Sequence, residues 1–130
     1  DLGFMVDGST YMQPNAFTSC LALVKNIYSN FPVGVYDTHV ALALLGNMPR
    51  TVFNFTAYSN KAEMDKAVDN LIYPGSTKIN LGKGLSSYKA SIFDTTARPG
   101  ARKVLVVFVA GASDDEVDVP AREIRDNGKF

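Results

Sequence analysis

The chain holds one cysteine, one histidine and no net charge. The single cysteine, Cys20, excludes an internal disulfide. It falls on the predicted apolar face of a helix beside Phe17, Leu21 and Val24, where a thiol packs as a small hydrophobe. No base stands next to it in sequence to activate it, and it leaves the redox compartment open. The one histidine, His39, has no acid or cysteine beside it and reads as structural. Lys plus Arg and Asp plus Glu each number 13. That balance excludes the basic excess of a nucleic-acid or anionic-membrane surface. No apolar run approaches membrane-spanning length. No basic stretch followed by an apolar run opens the sequence, so any secretion signal is expected to lie outside it. Low-complexity segments and internal repeats are also missing.

Catalytic patterns are equally scarce. There is no Ser/His/Asp, Cys/His or paired-carboxylate constellation. Gly82 and Gly84 lack the spacing and the lysine–hydroxyl pair of a phosphate loop. Gly3 and Gly8 form no dinucleotide fingerprint. Lys83, Arg98, Arg102 and Lys103 are scattered and read as a solvated basic face.

What is present is a core. With 130 residues, 46% apolar and 20% charged, the chain is one domain or part of one. Leu2 to Val6 is a short apolar run that ends in Asp7-Gly8-Ser9-Thr10-Tyr11, the pattern of a strand buried on both faces. Pro14 suits the first turn of a helix, and Phe17, Cys20, Leu21, Val24, Ile27 and Tyr28 follow at helical spacing. Asn30–Thr38 is a loop. His39–Leu45 is a second buried strand. Thr51–Tyr58 alternates, and the short link at Gly46–Pro49 makes it an antiparallel, half-exposed edge strand. Asn60 with Glu63 resembles a capping box, which opens a helix stopped by Tyr73-Pro74-Gly75. A further helix is predicted from Leu81 to Phe93 with Leu81, Leu85, Tyr88 and Ile92 inward. Lys103–Val109 is the strongest buried strand. Asp114, Asp115, Glu116 and Asp118 precede a last helix, Pro120–Asn127, whose dipole they suit. It is ended by Gly128.

Strands alternating with helices predict a doubly wound αβα sandwich with a mostly parallel sheet and one antiparallel edge strand. The segment from Asn127 to Phe130 reads as the lead-in to another strand, so the domain is expected to be incomplete at its C-terminus. Three stretches should converge at one corner of such a sheet, where open α/β folds place their sites. They are Asp7–Tyr11, Ser76–Asn80 and Ala110–Ser113.

These stretches resemble a von Willebrand factor type A domain. The similarity rests on Asp7-Gly8-Ser9, on Gly75-Ser76-Thr77 with Gly82 beyond it, on Val107-Phe108-Val109-Ala110-Gly111, and on the helix Pro120–Gly128. It covers residues 1–130 in order, roughly the first two-thirds of such a domain. Members of the family often bind Mg²⁺ or Mn²⁺ at this corner through an Asp-x-Ser-x-Ser motif, a threonine and a second aspartate, a set of hard oxygen donors. Carried across by position, Asp7, Ser9 and Thr77 match three of those ligands. Two positions depart: Tyr11 stands in place of the second serine and Ala110 in place of the second aspartate. One formal negative charge then faces a dication. The resemblance therefore implies a degenerate metal corner, vestigial and without a cofactor. Asp7 and Ser9 would instead satisfy backbone N–H groups at the start of the first helix and Thr77 would close a loop in the same way, and Tyr11 with Met12 would form a partly exposed apolar patch.

Asn54-Phe55-Thr56 is the one N-x-Ser/Thr sequon, and Asn54 on the edge strand is a candidate glycosylation site. The resemblance is closest to A domains of collagen VI-like and matrilin-like matrix proteins. It implies a secreted, extracellular, non-enzymatic adhesion module. Such a module would bind collagen or other matrix proteins without a metal, in tandem with sister A domains, and would bind neither nucleic acid nor membrane. The alternatives are an integrin-like, divalent-dependent adhesion domain, separable by chelator sensitivity, and an intracellular scaffold A domain, favoured if Asn54 carries no glycan.

Overall fold

A computed structural model of the chain describes residues 1–127. β1 (Leu2–Asp7) is buried at every position, as its apolar run requires. α1 (Pro14–Ser29) begins at the proline and buries Phe17, Leu21, Val24 and Tyr28 on one stripe. β2 (Val40–Leu45) is again buried throughout, and β3 (Arg50–Phe53) folds back on it antiparallel. α2 (Lys61–Asp69) is capped by Asn60, whose Oδ1 accepts from the Glu63 N–H at 3.0 Å. α3 (Leu81–Tyr88) runs into a π-helical turn, Lys89–Phe93, and a short α4 (Asp94–Thr96). β4 (Val104–Phe108) and α5 (Asp118–Asn127) complete the described residues.

The sheet order is β3-β2-β1-β4. β1 pairs in parallel with both β2 and β4. Side chains alternate across a strand, and the two faces sort accordingly. Phe4, Val6, Val40, Leu42 and Leu44 meet α1 and α2 through Phe17, Val24, Tyr28, Met64 and Val68. Met5, Ala41, Ala43 and Leu45 meet the other layer through Leu85, Tyr88, Ile92 and Phe93. Gly3 lies on this second face because Tyr88 fills its side-chain space: a Cβ there would sit 2.3 Å from Tyr88 Oη. The three-layer sandwich is the expected architecture. Among the described residues no helix is long and apolar enough to cross a membrane.

Four readings need correction. The edge strand ends at Phe53, not Tyr58. Asn54 therefore stands just past the strand rather than on it, because its side chain caps a turn: Oδ1 accepts from the Thr56 N–H and hydroxyl. The predicted helix to Phe93 is interrupted, and the wider π-turn brings the consecutive residues Ile92 and Phe93 into the core together. β4, read as the most buried strand, is half-exposed along its length, since β1 is its one partner among the described residues. Arg98 is not part of a solvated face. Its guanidinium grips the buried Asp1 carboxylate at 2.6 Å. The expected stop at Gly128 and the strand lead-in through Phe130 lie outside the described residues.

Candidate functional site

Parallel strands put the C-terminal ends of β1, β2 and β4 at one edge of the sheet, and the three polar stretches do meet there. The Gly8 N–H donates to Leu45 O at 2.8 Å. Ser9 bridges Ser76 in parallel fashion, with Ser76 N–H bonded to Gly8 O at 3.0 Å and Thr10 N–H to Ser76 O at 2.8 Å. The loop after β4 closes the corner through Ala110, whose N–H donates to Asp7 Oδ2 at 2.9 Å.

Asp7 is the centre of this arrangement. It is fully buried. Its Oδ1 accepts from the Ser9 N–H at 2.7 Å while its Oδ2 takes Ala110. One carboxylate thereby sews the end of β1 to the end of β4. This differs from the expected role at the first helix: the residue preceding α1 is Gln13, which makes no side-chain cap. Ser9 is also fully buried, but its hydroxyl has no hydrogen-bond partner, so it satisfies no backbone group. Its carbonyl accepts from Tyr73 Oη at 2.9 Å. Thr77 lies one residue past the Ser9–Ser76 bridge and is exposed.

The two departures occupy the same corner. Tyr11 is 61% exposed, and its side chain lies against Gly111, where an added Cβ would come within 3.3 Å of Tyr11 Cγ. Ala110 is exposed and offers a methyl. Met12, expected beside Tyr11 on the surface, is instead buried and accepts a weak hydrogen bond from the Cys20 thiol at 3.8 Å. Burial, and then the Asp7 charge, push that thiol up from its usual range, so it is a poor nucleophile. His39 is at the opposite end of the sheet, its Nε2 spent on Val35 O at 3.0 Å. Among the described residues no three His, Cys, Asp or Glu side chains cluster so as to hold a metal.

The acids after β4 have a different use from the one expected. Asp115 accepts from the Gly82 and Lys83 N–H groups at 2.8 Å each, and Asp114 Oδ2 accepts from Ile79 N–H at 2.8 Å. Asp115, with Ser113 Oγ accepting from Leu81 N–H at 3.2 Å, supplies the cap that Asn80 does not give α3, while Asp114 ties down the residue before Asn80. α5 begins at Asp118 rather than Pro120, so Asp118 lies in its first turn, as its dipole suits, and Glu116 Oε1 accepts from Val119 N–H at 3.0 Å. Local sequence carries no sign of a cap borrowed from across the fold. Burial opposes the Asp115 charge, but the Ser113 hydroxyl, the two N–H groups and the Lys83 charge hold its carboxyl below the usual range. A folded value below the unfolded one, about 3.9, makes the stabilisation complete above that pH. It is lost as pH falls through the lowered folded value. Asp115→Asn should lower stability by about 1 kcal/mol near neutrality, the worth of a cap. It should also flatten the loss of stability below about pH 4. A urea midpoint that falls with acid as steeply in the variant as in the parent would remove Asp115 from that role.

Comparison with known proteins agrees with this geometry. A family model for the von Willebrand factor type A domain matches residues 1–129. Vitrin of Mus musculus is 30% identical over 122 residues, covering 93% of this chain and 18% of vitrin. The human von Willebrand factor A domain-containing protein 2 is 30% identical over 129 residues, 98% of this chain and 17% of its own length. The human collagen alpha-6(VI) chain is 26% identical over 130 residues, 98% of this chain and 6% of its own. The chain thus spans less than a fifth of these relatives. Proximal thread matrix protein 1 from the mussel byssus superposes with a TM-score of 0.89 at 17% identity, over 98% of this chain and 35% of that one. A second structure of it, with a zinc occupied MIDAS motif, gives the same TM-score at 22% identity, over 98% and 33%. At such identities the likeness speaks for the fold.

Proposed function

The chain belongs to the von Willebrand factor type A family, and from that premise we propose a non-enzymatic adhesion module of a secreted extracellular matrix protein, one that binds collagen or other matrix proteins without a divalent cation. Relatives that include a collagen VI chain support the extracellular reading. The donor set at the corner carries the metal-independent part. A hard dication wants several charged or neutral oxygens in near-octahedral array. Here one carboxylate is available, and both of its oxygens already accept backbone N–H groups. Ala110 contributes none, and a phenol with its ring on Gly111 replaces a small hydroxyl. These residues do not fit a divalent ion, so contact with a partner falls to the surface around Tyr11. The non-enzymatic reading has the same basis: the one imidazole is at the far end of the sheet, and the one thiol is held protonated beside Met12.

One observation favours the divalent-dependent alternative, the buried and unpartnered Ser9 hydroxyl. Thermal unfolding with and without Mn²⁺ separates the two. The unmodified chain should show the same Tm in Mn²⁺ and in EDTA. The Tyr11→Ser/Ala110→Asp variant should gain a Mn²⁺-dependent rise worth about 2.7 kcal/mol at a hundredfold excess over Kd. Retention on immobilised collagen should survive chelator. A Tm increase of the unmodified chain in Mn²⁺, or elution by EDTA, would decide for the alternative.

A further inference from the structure

The sequon Asn54-Phe55-Thr56 takes no part in the corner. The geometry points to Asn54 as an N-glycosylation site whose glycan shields the open edge of β3. The inference rests on the extracellular reading above, since glycan transfer takes place in the secretory lumen. The chain turns directly after β3. Asn54 Oδ1 accepts from the Thr56 N–H at 3.0 Å and from the Thr56 hydroxyl at 2.9 Å. Both bonds fall on the carboxamide oxygen, so the nitrogen that a glycan needs carries neither.

Phe55 is buried, its ring 5.7 Å from that of Phe93, and its N–H is turned to Thr96 Oγ1 at 3.4 Å. With the middle residue anchored inward, Asn54 stays half-exposed and Thr56 exposed. The fold thus presents amide and hydroxyl together and spends only the oxygen of Asn54 on its own turn. In the transfer, Asn54 Nδ2 forms a bond to the anomeric carbon of an oligosaccharide. That carbon's bond to the pyrophosphate of a lipid-linked donor breaks, the lipid pyrophosphate leaves, and Nδ2 gives up a proton. Nothing is oxidised.

The position also gives the sugar a task. β3 pairs with β2 on one side and with no strand on the other among the described residues, and its Arg50 and Thr51 are exposed. An open edge is a template for pairing with another chain. A branched, hydrated glycan at its end obstructs that approach.

The test is site-resolved peptide mass spectrometry on the full chain, secreted from eukaryotic cells and treated with peptide N-glycosidase in heavy-oxygen water. Asn54 should be recovered as labelled aspartate. The modification should be lost in Thr56→Ala and kept in Thr56→Ser. Unmodified Asn54 in a chain directed to the lumen by an added leader would overturn the site. If the leader-directed chain is modified while the protein recovered from its native source is not, the site stands and the extracellular reading falls. Enzymatic removal of the glycan from folded wild-type chain should raise the oligomer fraction in sedimentation several-fold; an unchanged distribution would overturn the shielding role.

Discussion

Replacing Asp7 with alanine should lower the unfolding free energy by about 2–4 kcal/mol, since a buried group left without its partner costs about 1–3 kcal/mol. Two groups lose theirs. The Ser9 N–H belongs to a fully buried residue and gives its hydrogen bond to Asp7 Oδ1 at 2.7 Å. The Ala110 N–H sits on an exposed residue and can turn to water, so it adds less. Removing a buried charge returns part of its desolvation cost, which keeps the estimate below the sum of two full penalties. Against a whole-domain stability of about 5–15 kcal/mol, the loss is large. Asp7→Asn keeps one acceptor and turns the other position into a donor facing a donor, so it should destabilise as well. The sign of the alanine result is informative. Residues retained for ligand binding at the expense of the fold become more stable when replaced. A clamp becomes less stable. A raised urea midpoint for Asp7→Ala would mean that the carboxylate is kept for a ligand after all, and the metal-free reading of the corner would go with it.

The elements whose pattern is local were legible in the sequence. The β1 run ending in Asp7, the proline-led α1 and the Asn60 cap stand where their residues put them. The convergence of the stretches after β1 and β4 was also legible, because parallel strands leave no other end for those loops. What the sequence hid depends on contacts far along the chain. β3 stops early because Asn54 prefers its own turn and Phe55 has a pocket beside Phe93. The π-turn serves two consecutive core residues, a demand that a helical period cannot express. The apolar run of β4 reads like that of β1, yet burial depends on neighbours, and β4 has fewer. Asp115 precedes one helix and caps another, and Asp114 ties down the residue just ahead of that cap. At the corner, Asp7, Ser9 and Ala110 are joined through the Asp7 carboxylate and Tyr11 lies against Gly111. The dual use of the Asp7 carboxylate was not visible, since Ala110 gives no side-chain signal and takes part through its N–H.

Gly82→Ala should be destabilising by about 3 kcal/mol, the upper end of what overpacking usually costs. In an ordinary helix the same change stabilises by about 0.5–1 kcal/mol. Gly82 is in the first turn of α3, where the segment leading to α5 crosses it. A Cβ there would stand 2.0 Å from the Glu116 carbonyl oxygen and 3.1 Å from Asp115 Cγ. Neither is the loose end of a flexible side chain. Moving Glu116 pulls on Asp115, which holds the N–H groups of Gly82 and Lys83, and on Val117, whose carbonyl accepts the Ala121 N–H at 2.8 Å. The methyl thus opens the joint between α3 and α5 and uncaps α3 in one step. Gly84 gives the control within the same helix. Its added Cβ would meet Leu45 Cδ1 at 2.7 Å and Met5 Sδ at 3.2 Å, side-chain ends that can rotate away, so Gly84→Ala should cost only about 1 kcal/mol. Chemical denaturation of the two variants beside the parent measures the difference. Equal midpoints for Gly82→Ala and Gly84→Ala would show that the loop after β4 yields as easily as a methionine side chain, and that the backbone crossing does not brace this end of the sheet.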